Sequence, residues 1–167
     1  MTPTLHRQSG VMLIEALIGI LIFAIGVLAV VGMQSQALRG AQDARYRTEA
    51  GQWANDLLTQ IAVNVNRSSE TALSTSLAAF QHQPSGSNCA FSGTASTNAI
   101  VTGWVANVTG SSAGARKQLP GSTTAMQQVV VSSDPASGDY NRVTITVCWK
   151  GPEDAVARKY ILNSYIN

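Results

Sequence analysis

Residues 10–33 read G-V-M-L-I-E-A-L-I-G-I-L-I-F-A-I-G-V-L-A-V-V-G-M, and Glu15 is the only charge among them. Val11 to Met33 is 23 residues. At 1.5 Å per residue a helix of that length is about 34 Å long, enough to cross a hydrocarbon core of about 30 Å. The run is apolar on every face, and a domain this small can hardly cover such a helix as core. A secretory signal is a second reading, with Ser35-Gln36-Ala37 as a small-residue cleavage site. Signal cores, however, are only about 7–15 residues long and do not normally carry a carboxylate. A plain membrane anchor is a third reading, and it leaves Glu15 to be explained. A carboxylate inside a span costs a few kcal/mol on insertion scales, so it usually has a partner and a function.

Outward from this run the chain is ordinary. The ten residues before it, MTPTLHRQSG, are polar, and Arg7 is their only full side-chain charge. Arg39, Arg45 and Arg47 follow the span, so loop charge does not settle its orientation. The whole chain has 167 residues, 45% apolar, 12% charged and 6% aromatic, with a net charge of +2. That length fits one domain, and the apolar content excludes a disordered chain. Eleven Lys and Arg against nine Asp and Glu leave no electrostatic footprint for nucleic acid. Two cysteines and two histidines, His6 and His82, leave little room for a zinc centre or a catalytic histidine.

Past the span, Gln34 to Asn64 has no proline. Ala37, Leu38, Ala41, Ala44, Ala54, Leu57, Leu58 and Ile61 recur at three- and four-residue spacing, which predicts one apolar face on a continuing helix. Asp43→Arg47 and Arg45→Glu49 are i,i+4 pairs on its polar surface. Continuous from Val11 to Asn64, this helix would be about 80 Å long. Ser69 to Phe80 reads as helix, with Leu73, Leu77 and Phe80 on one side. Gln81 to Asn98 is rich in Ser, Gly, Pro and Asn and reads as loop, with His82 as a loop side chain. Ala99 to Val108 reads as a short helix and Gly110 to Thr124 as loop. Gln128–Ser132, Arg142–Trp149 and Val156–Tyr165 read as strands of one antiparallel sheet. In the second, Val143, Ile145, Val147 and Trp149 alternate with Thr144, Thr146 and Cys148, the period of a half-buried strand. The expected class is α+β, with the amphipathic half of the long helix covering the sheet.

The string G-V-M-L-I-E, Gly10 to Glu15, resembles the processing site of type IV pilins and pilin-like proteins. The resemblance implies a cleaved leader over 1–10, a membrane-spanning half-helix over 11–33, an amphipathic half over 34–66 and a periplasmic head over 67–167, the type IV pilin fold. It implies that prepilin peptidase cuts between Gly10 and Val11 and methylates the new amine of Val11. It also implies a role for Glu15 in subunit docking, where the amine of one subunit meets the carboxylate of another. A buried pair of charges is tolerable only when matched, so this contact can select register. Two features depart from the family pattern. Val11 and Met12 stand where Phe and Thr are usual. No proline interrupts the span, which has Gly19, Gly26 and Gly32 instead.

Within the family, Ala24 to Leu38 is similar to the PilV group of minor pilins, the type IV pilus modification proteins. Trp104, Leu119-Pro120-Gly121 and Trp149 are more loosely similar to the same group. The expected function is to initiate or cap a pilus, supporting adhesion, twitching motility or DNA uptake. The implied partners are prepilin peptidase, other minor pilins, the major pilin, the inner membrane and a tip adhesin. The implied location is first the bacterial inner membrane, N-terminus cytoplasmic and head periplasmic, then the pilus tip. In an oxidising periplasm Cys89 and Cys148 are candidates for a disulfide of the kind pilin heads often carry, or remain two separate thiols. Gly110-Ser111-Ser112-Ala113-Gly114 matches a hydrolase pattern, yet His82 is the only histidine left after leader removal. Asn66-Arg67-Ser68 and Asn107-Val108-Thr109 match a glycosylation acceptor that carries little meaning in a bacterial chain. Arg116-Lys117 is expected as an exposed loop pair. No enzymatic activity, metal or cofactor is expected. Two rival functions share much of the pattern: a pseudopilin of a type II secretion system, and a membrane-anchored or secreted domain with its own ligand.

Overall fold

The computed structural model describes residues 9–111, 119–132 and 140–167. The leader residues 1–8, the Arg116-Lys117 pair and most of the turn between the expected strands Gln128–Ser132 and Arg142–Trp149 lie outside the described residues. Backbone contacts divide the chain into two units, Met1–Ala44 and Arg45–Asn167.

One helix, α1, spans Ser9–Asn64. No proline interrupts it, and its sequence is dominated by Ala, Leu and other helix-tolerant residues. Within the first unit its apolar residues are exposed throughout. The most apolar window has a mean hydropathy of 2.8, and none of that window is buried. By length and composition this helix can cross a membrane. Within the second unit the same helix becomes a core element. Ala50, Ala54, Leu57 and Ile61 are wholly buried, and Tyr46, Trp53 and Leu58 pack at their margins. The 4-3-4 spacing keeps these residues on one face. Burial does not cover the whole face expected from periodicity: Ala37, Leu38, Ala41 and Ala44 are exposed. Of the expected ion pairs, Arg45 Nε reaches Glu49 Oε1 at 3.0 Å.

Two short helices complete the helical layer. α2, Glu70–Ala78, begins where Ser69 Oγ accepts the Ala72 N–H, and Glu70 sits favourably in the first turn. It buries Leu73 and Leu77, and Phe80 is buried just beyond it. α3, Ala99–Thr109, starts where Asn98 Oδ1 accepts the Ile100 N–H at 2.9 Å. It stops at Gly110, whose φ of 73° suits a left-handed cap. Val101, Trp104, Val105 and Val108 form its buried side.

The larger sheet has three strands, the middle one in sequence also lying in the middle of the sheet, and is antiparallel throughout. β3 is Gln127–Ser132, entered through a 3₁₀ turn at Thr124–Met126; β4 is Arg142–Trp149 and β5 is Arg158–Tyr165. Register places Val129 opposite Ile145 and Val147 opposite Tyr160. Val129, Val143, Ile145, Val147 and Trp149 belong to the same apolar core as Leu57, Ile61, Leu77 and Trp104. The fold is therefore α+β, with a long apolar N-terminal helix and small antiparallel sheets.

Two expectations need correction. Gln81–Asn98 is not all loop: β1, Ser85–Ser87, and β2, Ala90–Ser92, form a hairpin. Its two-residue turn is Asn88-Cys89, with φ of 53° and 63°. Positive φ at both central residues is the type I′ geometry that matches strand twist. Gly86, at φ 92°, sits where any Cβ would strike the Ala90 carbonyl. β4 is likewise not half-buried along its length. Thr146 and Cys148, on the face expected to be wet, are buried. Cys148 clusters with Cys89 and Phe91 of the hairpin, with Met126 and Ala157 at the edge.

Candidate functional site

The residues singled out by the sequence fall into two sets. Gly10, Val11 and Glu15 all lie in the first turns of α1. Val11 and Glu15 are four residues apart, so they share one helix face, about 6 Å apart along the axis. Val11 is 70% exposed, and Ile14, Leu17 and Ile18 around Glu15 are exposed as well. Glu15 has no hydrogen-bond or ion-pair partner among the described residues. A lone charged carboxylate within an apolar span is costly in a bilayer unless it takes up a proton or meets a countercharge.

The second set is in the head. Cys89 and Cys148 are joined by a disulfide. It ties the turn of the β1–β2 hairpin to β4 and closes the second face of that strand. Beside it Gln127, wholly buried, spends both ends of its amide on backbone and hydroxyl partners. Nε2 donates to the Cys148 carbonyl at 3.0 Å and to Ser122 Oγ at 2.8 Å, and Oε1 accepts the Cys148 N–H at 3.4 Å. A buried amide is tolerable only when satisfied in this way. Gln128 Nε2 donates to the Gln83 carbonyl at 2.9 Å, holding the start of the hairpin segment to β3.

His82 is not the loop side chain expected. It is 3% exposed, and its backbone exchanges two hydrogen bonds with Val129, at 2.9 and 3.0 Å. Nδ1 accepts the Ser96 N–H at 3.1 Å, which fixes the ring as its Nε2–H tautomer. Burial lowers the pKa from its ordinary 6.5, with the Thr124 backbone pulling weakly the other way. The unfolded chain then takes up the proton first as pH falls. Stability from this group is full above pH 6.5 and is lost as pH falls from there towards the lower folded pKa. The melting temperature is expected to be higher at pH 7.5 than at pH 5.5, with the difference much reduced in His82→Gln. Asp154, held low by the Arg158 hydrogen bond, acts below this window, since its ordinary value is 3.8. Equal melting at the two pH values in the wild type would rule out a neutral buried His82.

The hydrolase-like pattern at Gly110 follows a helix, α3, and not the strand its nucleophile elbow requires; residues 112–114 lie outside the described residues. Among the described residues no three His, Cys, Asp or Glu side chains gather as a metal site.

Sequence reading passed over one surface feature. A groove of about 600 Å³ runs between α1 and α3, lined by Trp53, Asp56, Gln60, Ile100, Gly103 and Asn107 among others. Trp104 Nε1 donates to the Trp53 carbonyl at 2.9 Å and ties the two helices together beneath it. The signal in the sequence was Trp53 and Gly103, one partly exposed and the other inside a helix, but nothing local placed them together. No family model, curated protein or solved structure matches the chain.

Proposed function

We propose that the chain is a minor type IV pilin, most like the PilV group, made as an inner-membrane precursor and trimmed by prepilin peptidase between Gly10 and Val11. One observation carries the reading: a glycine junction stands five residues before Glu15, the one charge of the 11–33 run and without a partner among the described residues, at the start of an exposed apolar helix. The disulfide-bonded head, with residues of α1 in its core beside a three-stranded antiparallel sheet, supports the pilin fold.

The physical logic is charge matching in a medium that cannot solvate charge. Cleavage exposes a positive amine on Val11 at the membrane face. Subunits packed side by side with an axial offset bring that amine to the Glu15 of a neighbour. Each charge is costly alone and acceptable as a pair, so the pairing selects register. The exposed apolar residues of α1 leave the lipid for the neighbouring helices of a filament core. The head, periplasmic before assembly, then sits at the tip with other minor pilins above the major pilin, where an adhesin can join. The work is assembly, with adhesion, motility or DNA uptake downstream.

Mass spectrometry of the N-terminal peptide, from cells with and without prepilin peptidase, tests this. N-methyl-Val11 should occur only with the enzyme. A retained Met1, or a start near Leu38, would remove the pilin reading. Deletion should then abolish piliation; a block in protein secretion with normal pili would move the chain to the pseudopilins.

A further inference from the structure

From the groove between α1 and α3 we infer that the head has a binding site for neutral pyranosides, formed by Trp53, Asp56, Gln60, Gly103 and Asn107. The inference stands apart from the pilin reading, because every residue it uses lies within the second unit.

The lining carries the argument. Trp53 is half-buried and Ile100 is also partly covered, which gives a fixed apolar shelf at one place. Around it stand Asp56, Gln60 and Asn107, all exposed, and their side chains have no hydrogen-bond partner among the described residues. Thr59 Oγ1 donates to the Asn55 carbonyl and keeps its lone pairs for another donor. The site therefore offers an aromatic surface, one carboxylate and two carboxamides. A sugar ring has the complementary form, with an apolar face of C–H groups and a rim of hydroxyls that both donate and accept. No Lys, Arg or His lines the groove, so an anionic ligand meets the charge of Asp56 with no cation to offset it. A cation would suit Asp56, the indole and the amide oxygens of Gln60 and Asn107, but would leave both NH₂ groups unused. Hydroxyls use donors and acceptors alike.

Gly103 supplies a separate observation. It lies inside α3, where glycine weakens the helix relative to alanine. Its φ is not positive, and a Cβ there would meet nothing within 4 Å. Neither backbone geometry nor packing requires glycine at this position. Its effect is to keep the groove open next to Trp104, at some loss of helix stability.

The test uses the full chain in an amine-oxide detergent, which has no sugar headgroup. Maltotriose, cellotriose and chitotriose are titrated separately, with tryptophan fluorescence and amide NMR shifts as readouts; choline and a lysine-rich peptide serve as cation probes. At least one trisaccharide should saturate, with shifts centred on residues 53–60 and 99–107. Trp53→Ala and Gly103→Leu should each weaken it by at least about tenfold. Gly103→Leu points into open space, so it tests the groove even if Trp53→Ala does not fold. Gly103→Ala should raise the melting temperature by about 2–4 °C and also weaken binding. Three results would each overturn the site: no trisaccharide saturates, Gly103→Leu leaves the affinity unchanged, or only choline or the peptide binds.

Discussion

A Cys89→Ala/Cys148→Ala variant, or the wild type in excess reductant, is expected to melt about 10–20 °C below the oxidised chain. The bond joins residues 59 apart. In the chain-entropy account, closing a loop of that length removes freedom from the unfolded state equivalent to about 4 kcal/mol. For a unit of this size each kcal/mol moves the midpoint by roughly 3–5 °C. The loss should be local first. Cys89 and Phe91 are the buried apolar residues of the hairpin in the cluster with Cys148, so without the bond the hairpin keeps the Phe91 ring and the Gln128–Gln83 hydrogen bond beside it as its main ties. Amide exchange at residues 85–92 should therefore quicken before exchange in β4, whose other face stays in the main core. Thermal melts by circular dichroism, with and without reductant, check the size. A shift under about 3 °C, less than 1 kcal/mol for such a unit, would mean the bond is incidental to the head.

On the proposed docking role, Glu15→Ala is expected to be cleaved and methylated like the wild type and yet to enter filaments at least about a hundredfold less. Removing one member of a buried ion pair leaves the other charge uncompensated, which costs roughly 3–5 kcal/mol; each 1.4 kcal/mol is tenfold in an equilibrium. Glu15→Asp keeps the charge on a shorter arm and should fall between. The measurement is a quantitative immunoblot of sheared pili against the membrane fraction, with the cleaved N-terminus verified in both. Normal incorporation of cleaved Glu15→Ala would sink the docking role while leaving the processing site untouched. Failed cleavage would instead assign Glu15 to recognition by the peptidase.

The parts of the fold legible in the sequence were those set by repetition. The apolar run from Val11 needed only counting, and the Ala54-Leu57-Leu58-Ile61 spacing marked the face that packs in the head. The alternation from Val143 to Trp149 gave β4 its register of inward residues. What could not be read depended on residues distant in the chain. The hairpin strands are three residues each and carry Ser and Gly, a composition shared with loops. Their turn uses Asn88-Cys89, where glycine would have been the usual sign. Thr146 is buried on the face of β4 that also carries the disulfide-bonded Cys148, and His82 is buried where its backbone pairs with β3. Gln127 reads as surface by type, yet in the fold its buried amide is met by the Cys148 backbone across the strand pair and by Ser122. The candidate residues divided in the same way. Gly10, Val11 and Glu15 form a local string, whereas the groove residues come from two helices that only the folded chain brings together.

The two edges of the sheet are unequal. β3 has its outer edge stitched at Val129 by the backbone of His82, while no described strand pairs with the outer edge of β5. Along β5 most side chains are exposed, Ile161 and Tyr165 included. An edge with unpaired N–H and C=O groups is a template for another strand. Among the described residues the sheet is thus bridged at one margin and unpaired at the other. Growth by strand addition is easier at β5, and a proline placed at an outward-facing N–H of that strand is the shortest way to stop it.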